Sequence, residues 1–209
     1  MVAIRTLFAA VALAGPILAG WAVPATAQML SEGTEFLRAI EKRNEDAGKV
    51  TEMVDVPGST VINSRDLSTG RTALHIVVAA RDSSWLSYLI SQRANVNLAD
   101  NQGVTPLMLA VQVGYTEGAE ALLAARARVD VANASGETPL MFAVHSRNTD
   151  MMRVLLQAGA DPDRKDNSGR SARDYARLRG ATDATNDAIT RFERPASQRG
   201  GAATYGPSF

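Results

Sequence analysis

Apolar residues recur along this chain in short, paired segments with helical spacing. Leu107, Ala110 and Val111 stand at i, i+3 and i+4, which places them on one face of a helix. The aliphatic pairs Leu89-Ile90, Leu122-Leu123 and Leu155-Leu156 each mark a second helix downstream of a first. Before them, Phe36, Leu37 and Ile40 share a face of a helix predicted over residues 35–43. Val50, Met53 and Val54 do the same over residues 47–56, a segment ended by Pro57-Gly58. The last pair is thinner: residues 183–192 offer only Ala184, Ala188, Ile189 and Phe192 as apolar contacts. The pattern predicts an all-α chain built from helix-turn-helix units.

The first apolar segment has a different character. One cation, Arg5, precedes an apolar run over residues 7–23, which is interrupted by Gly15-Pro16 and followed by Ala25-Thr26-Ala27. A positive start, a short apolar stretch and a small-x-small site make up a secretory signal peptide. The expectation is cleavage after Ala27, export to the periplasm (or, alternatively, the extracellular space) and no stable membrane anchor afterwards.

The units repeat at a fixed interval. Gly70, Gly103, Gly136 and Gly169 are spaced by 33 residues. After them come Arg71-Thr-Ala-Leu-His75, Val104-Thr-Pro-Leu-Met108, Glu137-Thr-Pro-Leu-Met141 and Arg170-Ser-Ala-Arg-Asp174. Each unit closes on a related run: Arg93-Ala-Asn-Val-Asn97, Arg126-Ala-Arg-Val-Asp130 and Gly159-Ala-Asp-Pro-Asp163. Thr72, Thr105, Thr138 and Ser171 stand where a helix N-cap is needed. Pro106 and Pro139 follow at the first helical position, where a missing N–H costs nothing. A period of this length signals a stacked array whose units cannot bury their apolar faces alone.

This pattern resembles the ankyrin repeat, over residues 34–193. The resemblance implies an all-α solenoid of helix-turn-helix units with β-turn tips: about three full repeats between two capping units. The divisions are 1–27 for the signal peptide, 28–66 for the N-terminal cap, 67–99, 100–132 and 133–165 for the repeats, and 166–193 for the C-terminal cap. Residues 194–209, rich in Gly, Ala and Ser, read as a disordered tail. Two features suggest a soft middle. Gly118 and Ala119 stand where larger aliphatics are usual, and Arg93 and Arg126 replace the helix-ending glycine that Gly159 keeps.

Composition narrows the chemistry. There is no cysteine, which excludes disulfides, thiol catalysis and a lipid-modified cysteine anchor. Lys+Arg and Asp+Glu both number 22, so the net charge is zero and the usual footprint for nucleic acid is missing. The charge is uneven: −3 over residues 28–66, −1 over 67–152 and +3 over 153–209. Of the two histidines, His75 occupies the family's structural histidine position, while His145 stands at an exposed, variable one. Met108 and Met141 replace His75 in the next units, and Asp174 in the last. Asp161, Asp163 and Asp166 lack the glycine and closing glutamate of a calcium loop, so they read as turn chemistry. Asn133-Ala-Ser135 matches a glycosylation acceptor formally. No phosphate loop, nucleophile elbow or zinc-helix motif occurs.

No catalytic set, metal site or cofactor is therefore expected. The resemblance implies a monomeric scaffold that binds another protein, not nucleic acid, through a concave surface. Such a scaffold would be an adaptor, protector or inhibitor of an exported protein; the alternative is a secreted effector or toxin-neutralising protein. Carried over by register, the contact positions are Arg71; Asn101, Gln102, Val104, Gln112 and Val113; Glu137, His145 and Ser146; and Lys165, Arg170 and Arg179. The arginines lead, because binding hot spots favour Arg, Tyr and Trp.

Overall fold

The computed structural model describes residues 25–45, 47–56, 59–178 and 184–193. The described residues form α1 (Ala25–Glu41), α2 (Ala47–Asp55), a 3-10 turn (Val61–Asn63), α3 (Ala73–Ala79), α4 (Ser83–Ser91), α5 (Pro106–Gln112) and α6 (Thr116–Ala124). Then come α7 (Pro139–His145), α8 (Thr149–Gln157), α9 (Ala172–Leu178) and α10 (Ala184–Phe192). An isolated antiparallel bridge between Lys165 and Ser171 is the extent of β pairing among these residues. The all-helical solenoid expected from the repeat is what forms. Helices α3, α5, α7 and α9 pack in series, α4, α6, α8 and α10 form a second series, and each α-helical pair packs within its unit. The shared core holds Leu74, Leu107, Leu140, Leu86, Leu122 and Leu155, all buried.

Helix lengths follow from the residues at the ends. Thr72, Thr105 and Thr138 are N-caps in extended conformation, and α5 and α7 begin on Pro106 and Pro139. Asp82 and Asn148 cap the second helices α4 and α8 by accepting from Trp85 N at 3.1 Å and Met151 N at 2.9 Å. Tyr115, at the corresponding place before α6, makes no side-chain cap. Its ring instead lies over Gly118, where a Cβ would collide with it. The glycine read as a gap in α6 is thus the seat of a buried tyrosine.

The helices stop in a left-handed turn. Ala94, Ala127 and Ala160 donate backwards to Leu89 O, Leu122 O and Leu155 O at 2.9–3.0 Å, the Schellman pattern. The residues before them, Arg93, Arg126 and Gly159, have φ of 63°, 66° and 97°. The expected loss of this cap at Arg93 and Arg126 is corrected: both arginines adopt the left-handed conformation, which the backward bonds at the helix end require. Arg81 and Arg147 carry the same strain after α3 and α7, with φ of 53° and 54°.

Consecutive turns touch through backbone. Asn101 N donates to Thr69 O at 2.9 Å, Ala134 N to Gln102 O at 3.0 Å, and Asn167 N to Ser135 O at 3.1 Å. Gly70, Gly103 and Gly136 make this approach possible. All have positive φ, and a Cβ on Gly136 would stand 2.7 Å from Asn167 N. Gly169 shares the conformation (φ 80°) but faces open space.

The two ends are tied by ion pairs. Helix α1 starts ten residues before the helix read from the sequence: it takes in residues 25–27, read as the end of the leader, and residues 28–34, read as part of the cap outside its first helix. Its last turn leads to Arg43, buried, whose Nε donates to Asp82 at 2.7 Å. This joins the first unit to the N-cap of α4. Burial opposes ionisation of Asp82, but the Arg43 guanidinium and the Trp85 and Ser84 amides together outweigh it and hold the carboxyl below its ordinary value. At the other end Arg173, in place of the usual leucine, donates to Asp163 at 2.7 Å and also to Glu193 beyond α10. Ala184, read as a core contact, is exposed, whereas Thr185 is buried.

Two measurements check this account. Arg93→Gly and Arg126→Gly each remove a left-handed Cβ and should raise the urea midpoint by the equivalent of about 1 kcal/mol. Gly136→Ala and Gly169→Ala carry similar backbone strain, but only the first meets a following turn. Gly136→Ala should therefore be the more destabilising, by roughly 1–3 kcal/mol of overpacking; equal losses would show that the tips do not pack closely.

Candidate functional site

The turns and the first helices present one continuous polar row, and its geometry starts from the turn chemistry. The first residue of each turn is an Asx. Asp100 Oδ1 accepts from Gln102 N at 2.8 Å and Val104 N at 3.0 Å; Asn133 Oδ1 accepts from Ser135 N and Glu137 N, both at 2.9 Å. Asp166 Oδ1 accepts from Ser168 N at 2.8 Å and Arg170 N at 3.0 Å. These bonds aim the middle residues of each turn outward. They also commit Asn133, whose Nδ2 donates to Glu137 at 3.0 Å, so the formal glycosylation acceptor is built into a turn. Asp161 likewise accepts from Asp163 N at 3.0 Å, which is turn chemistry.

The contact positions divide accordingly. Arg71, Asn101, Gln102, Gln112, Ser146, Lys165 and Arg170 are exposed along the row. Val113 and Glu137 are half-buried, and so is His145, which corrects the exposure expected of it. Val113 packs against the core and its carbonyl accepts from the Arg81 guanidinium, while Glu137 is held by Asn133. Val104 is corrected: it is 8% exposed, its side chain belongs to the core, and its carbonyl is occupied by His75. Arg179 lies outside the described residues, as do residues 1–24 of the leader and the tail from 194. Trp85 and Tyr88 form an edge-on pair with centroids 5.2 Å apart, partly buried against the core through α4.

Register alone did not show that His145 forms a cluster. Its ring meets Tyr175 edge-on at 4.5 Å, across the junction of α7 and α9. Tyr175 Oη donates to Asp166 Oδ2 at 2.5 Å, and the Arg170 guanidinium carbon lies 6.0 Å from the Tyr175 ring centre. The Tyr175 hydroxyl, together with Ser168, holds the Asp166 carboxyl well below the usual carboxylate range. Tyr175 was the missed member. Its signal was an aromatic in the first helix of the last unit, one helical step from Ser171.

His75 is structural. The Thr72 amide, which can only donate, gives its hydrogen to Nδ1 at 3.1 Å, so the ring proton is on Nε2 and donates to Val104 O at 2.9 Å. One imidazole therefore caps α3 and reaches the next unit. The other units solve the same position differently. Met108 N donates to the Thr105 hydroxyl at 3.3 Å, Thr138 N reaches the Met141 sulfur at 3.4 Å, and Ser171 N donates to Asp174 at 3.0 Å.

Burial pushes His75 below its ordinary 6.5, against the Val104 bond and the nearby Asp100 charge, with Arg71 and Arg65 adding to the lowering. Below that ordinary value the unfolded chain takes a proton the folded chain refuses, so stability falls as pH falls. Denaturant titrations should show a loss of about 1 kcal/mol between pH 7 and 5.5. His75→Gln should be weaker at pH 7 but flat across this window; an unchanged slope would place the acid sensitivity elsewhere.

Comparison with known families agrees with the geometry. The family model described as ankyrin repeats (3 copies) matches residues 36–133, and that described as ankyrin repeats (many copies) matches residues 126–176. With threonine-capped first helices, Asx-ordered tips and a 33-residue period over this span, the chain belongs to the ankyrin-repeat family.

Proposed function

We propose that this protein is a non-enzymatic scaffold of the cell envelope that holds an exported partner protein against its turn tips and first helices. Ankyrin repeats form protein-interaction modules, and the row from Arg71 through Asn101, Gln102 and Gln112 to Arg170 carries the reading for this chain. Its side chains are exposed and polar on a backbone that hydrogen bonds fix from tip to tip. A fixed backbone loses little freedom on binding, and a polar row favours a reversible contact. The role is that of an adaptor, protector or inhibitor.

Support for export comes from Arg5, the apolar run over residues 7–23 and Ala25-Thr26-Ala27. Cleavage after Ala27 would trim the first turn of α1 and leave its apolar face, Phe36, Leu37 and Ile40, in the core. No helix among the described residues is long and apolar enough to cross a membrane.

A photo-crosslinking residue at Gln112 or Asn101 should trap the partner in intact cells, and one at Glu120, exposed on α6, should not. Equal trapping at Glu120 would defeat the assignment of the face. N-terminal sequencing of the protein from a periplasmic fraction should begin at Gln28; a chain that retains residues 1–27 would defeat export by cleavage.

A further inference from the structure

The geometry points to the His145–Tyr175–Arg170 cluster, with Lys165 beside it, as a docking site for an acidic segment of the partner protein. This inference rests on the proposed binding face and gives one end of it a chemistry. Among the described residues, Lys165 and Arg170 are exposed and form no ion pair. The neighbouring anions are spent internally. Asp166 Oδ1 accepts from Ser168 and Arg170 amides, and its Oδ2 from Tyr175. Asp174 accepts from the Ser171 amide and hydroxyl, and Glu137 from Asn133. The carboxylates thus shape the turn while the cations face outward.

The cluster is also held in place before any partner arrives. Asp166 fixes the Tyr175 hydroxyl, His145 braces the ring at its edge, and the ring face lies beneath the Arg170 guanidinium. An arginine steadied on an aromatic ring binds a carboxylate with two parallel hydrogen bonds and sacrifices less side-chain freedom than a loose one. The other basic tip, around Arg65 and Arg71, lacks such a platform: Arg71 lies 4.0 Å from the buried Asp100 carboxylate. The middle tips present the neutral Asn101, Gln102 and Ala134. Described residues 153–178 and 184–193 carry seven cations and six anions, against five and seven over the described residues of 25–66, so long-range attraction favours the same end.

Fluorescein-labelled hexaglutamate, followed by anisotropy with the full chain at low ionic strength, is the probe. Saturable binding should weaken about tenfold in Arg170→Gln and about threefold in Tyr175→Phe, which keeps the ring but frees it from Asp166. Arg71→Gln should change it less than about twofold, as expected of a rim charge. All three residues are at least partly exposed, and each variant should keep the helical circular dichroism of the parent chain. No saturable binding, an equal loss in Arg71→Gln, or tighter binding of a single-stranded oligonucleotide would overturn the site. If any of these occurs while Gln112 still traps the partner and Glu120 does not, only this inference fails. Trapping at Glu120 would fail the face itself.

Discussion

The whole array depends on how closely one turn can lie on the next. A single backbone hydrogen bond joins each pair of tips, and it forms only because the glycine of the earlier turn has no Cβ. Both demands fall on the same residue: left-handed φ to close its own turn, and empty space where the neighbour enters. That distance sets the pitch at which α3, α5, α7 and α9 stack, and hence which side chains of those helices reach the core and which stay on the row.

Within that pitch, the cap of each first helix tolerates varied chemistry. Imidazole, thioether and carboxylate all occupy the same register position, at His75, Met141 and Asp174, and each accepts from the amide three residues earlier. Only His75 also spans to the next unit, through Val104 O, and this makes the junction of the first two repeats the one with a titrating pin. Asp174 belongs to the last described unit, and there a partly exposed charged cap costs little desolvation.

The terminal units show why an apolar pattern is only a partial guide. Arg43 is buried in the turn after α1 and Arg173 stands at the repeat's leucine position, yet each is fastened by carboxylates from a neighbouring segment: Asp82 for Arg43, Asp163 and Glu193 for Arg173. Their long stems cover apolar surface while their heads stay satisfied. Gly118 teaches the same lesson from the other side. Read alone it is a weak helix residue, and read beneath Tyr115 it is required.

The local sequence determined the units themselves. Threonine caps, prolines at the first helical turn, paired leucines and glycines every 33 residues each act within a few residues of their own position, so period and helical class were legible without coordinates. Most exposed members of the row were legible too, because a repeat carries register. Contacts between units were decided only by the tertiary structure. Partners such as Arg43 and Asp82 or His145 and Tyr175 come from different units, and no spacing rule of a single helix relates them. The left-handed φ of Arg93 and Arg126 was hidden for a different reason: propensity disfavours it, and the backward hydrogen bonds at each helix end accompany it. Val104 is the clearest case. Its place in the turn suggested exposure, but the shared core claimed its side chain and His75 its carbonyl.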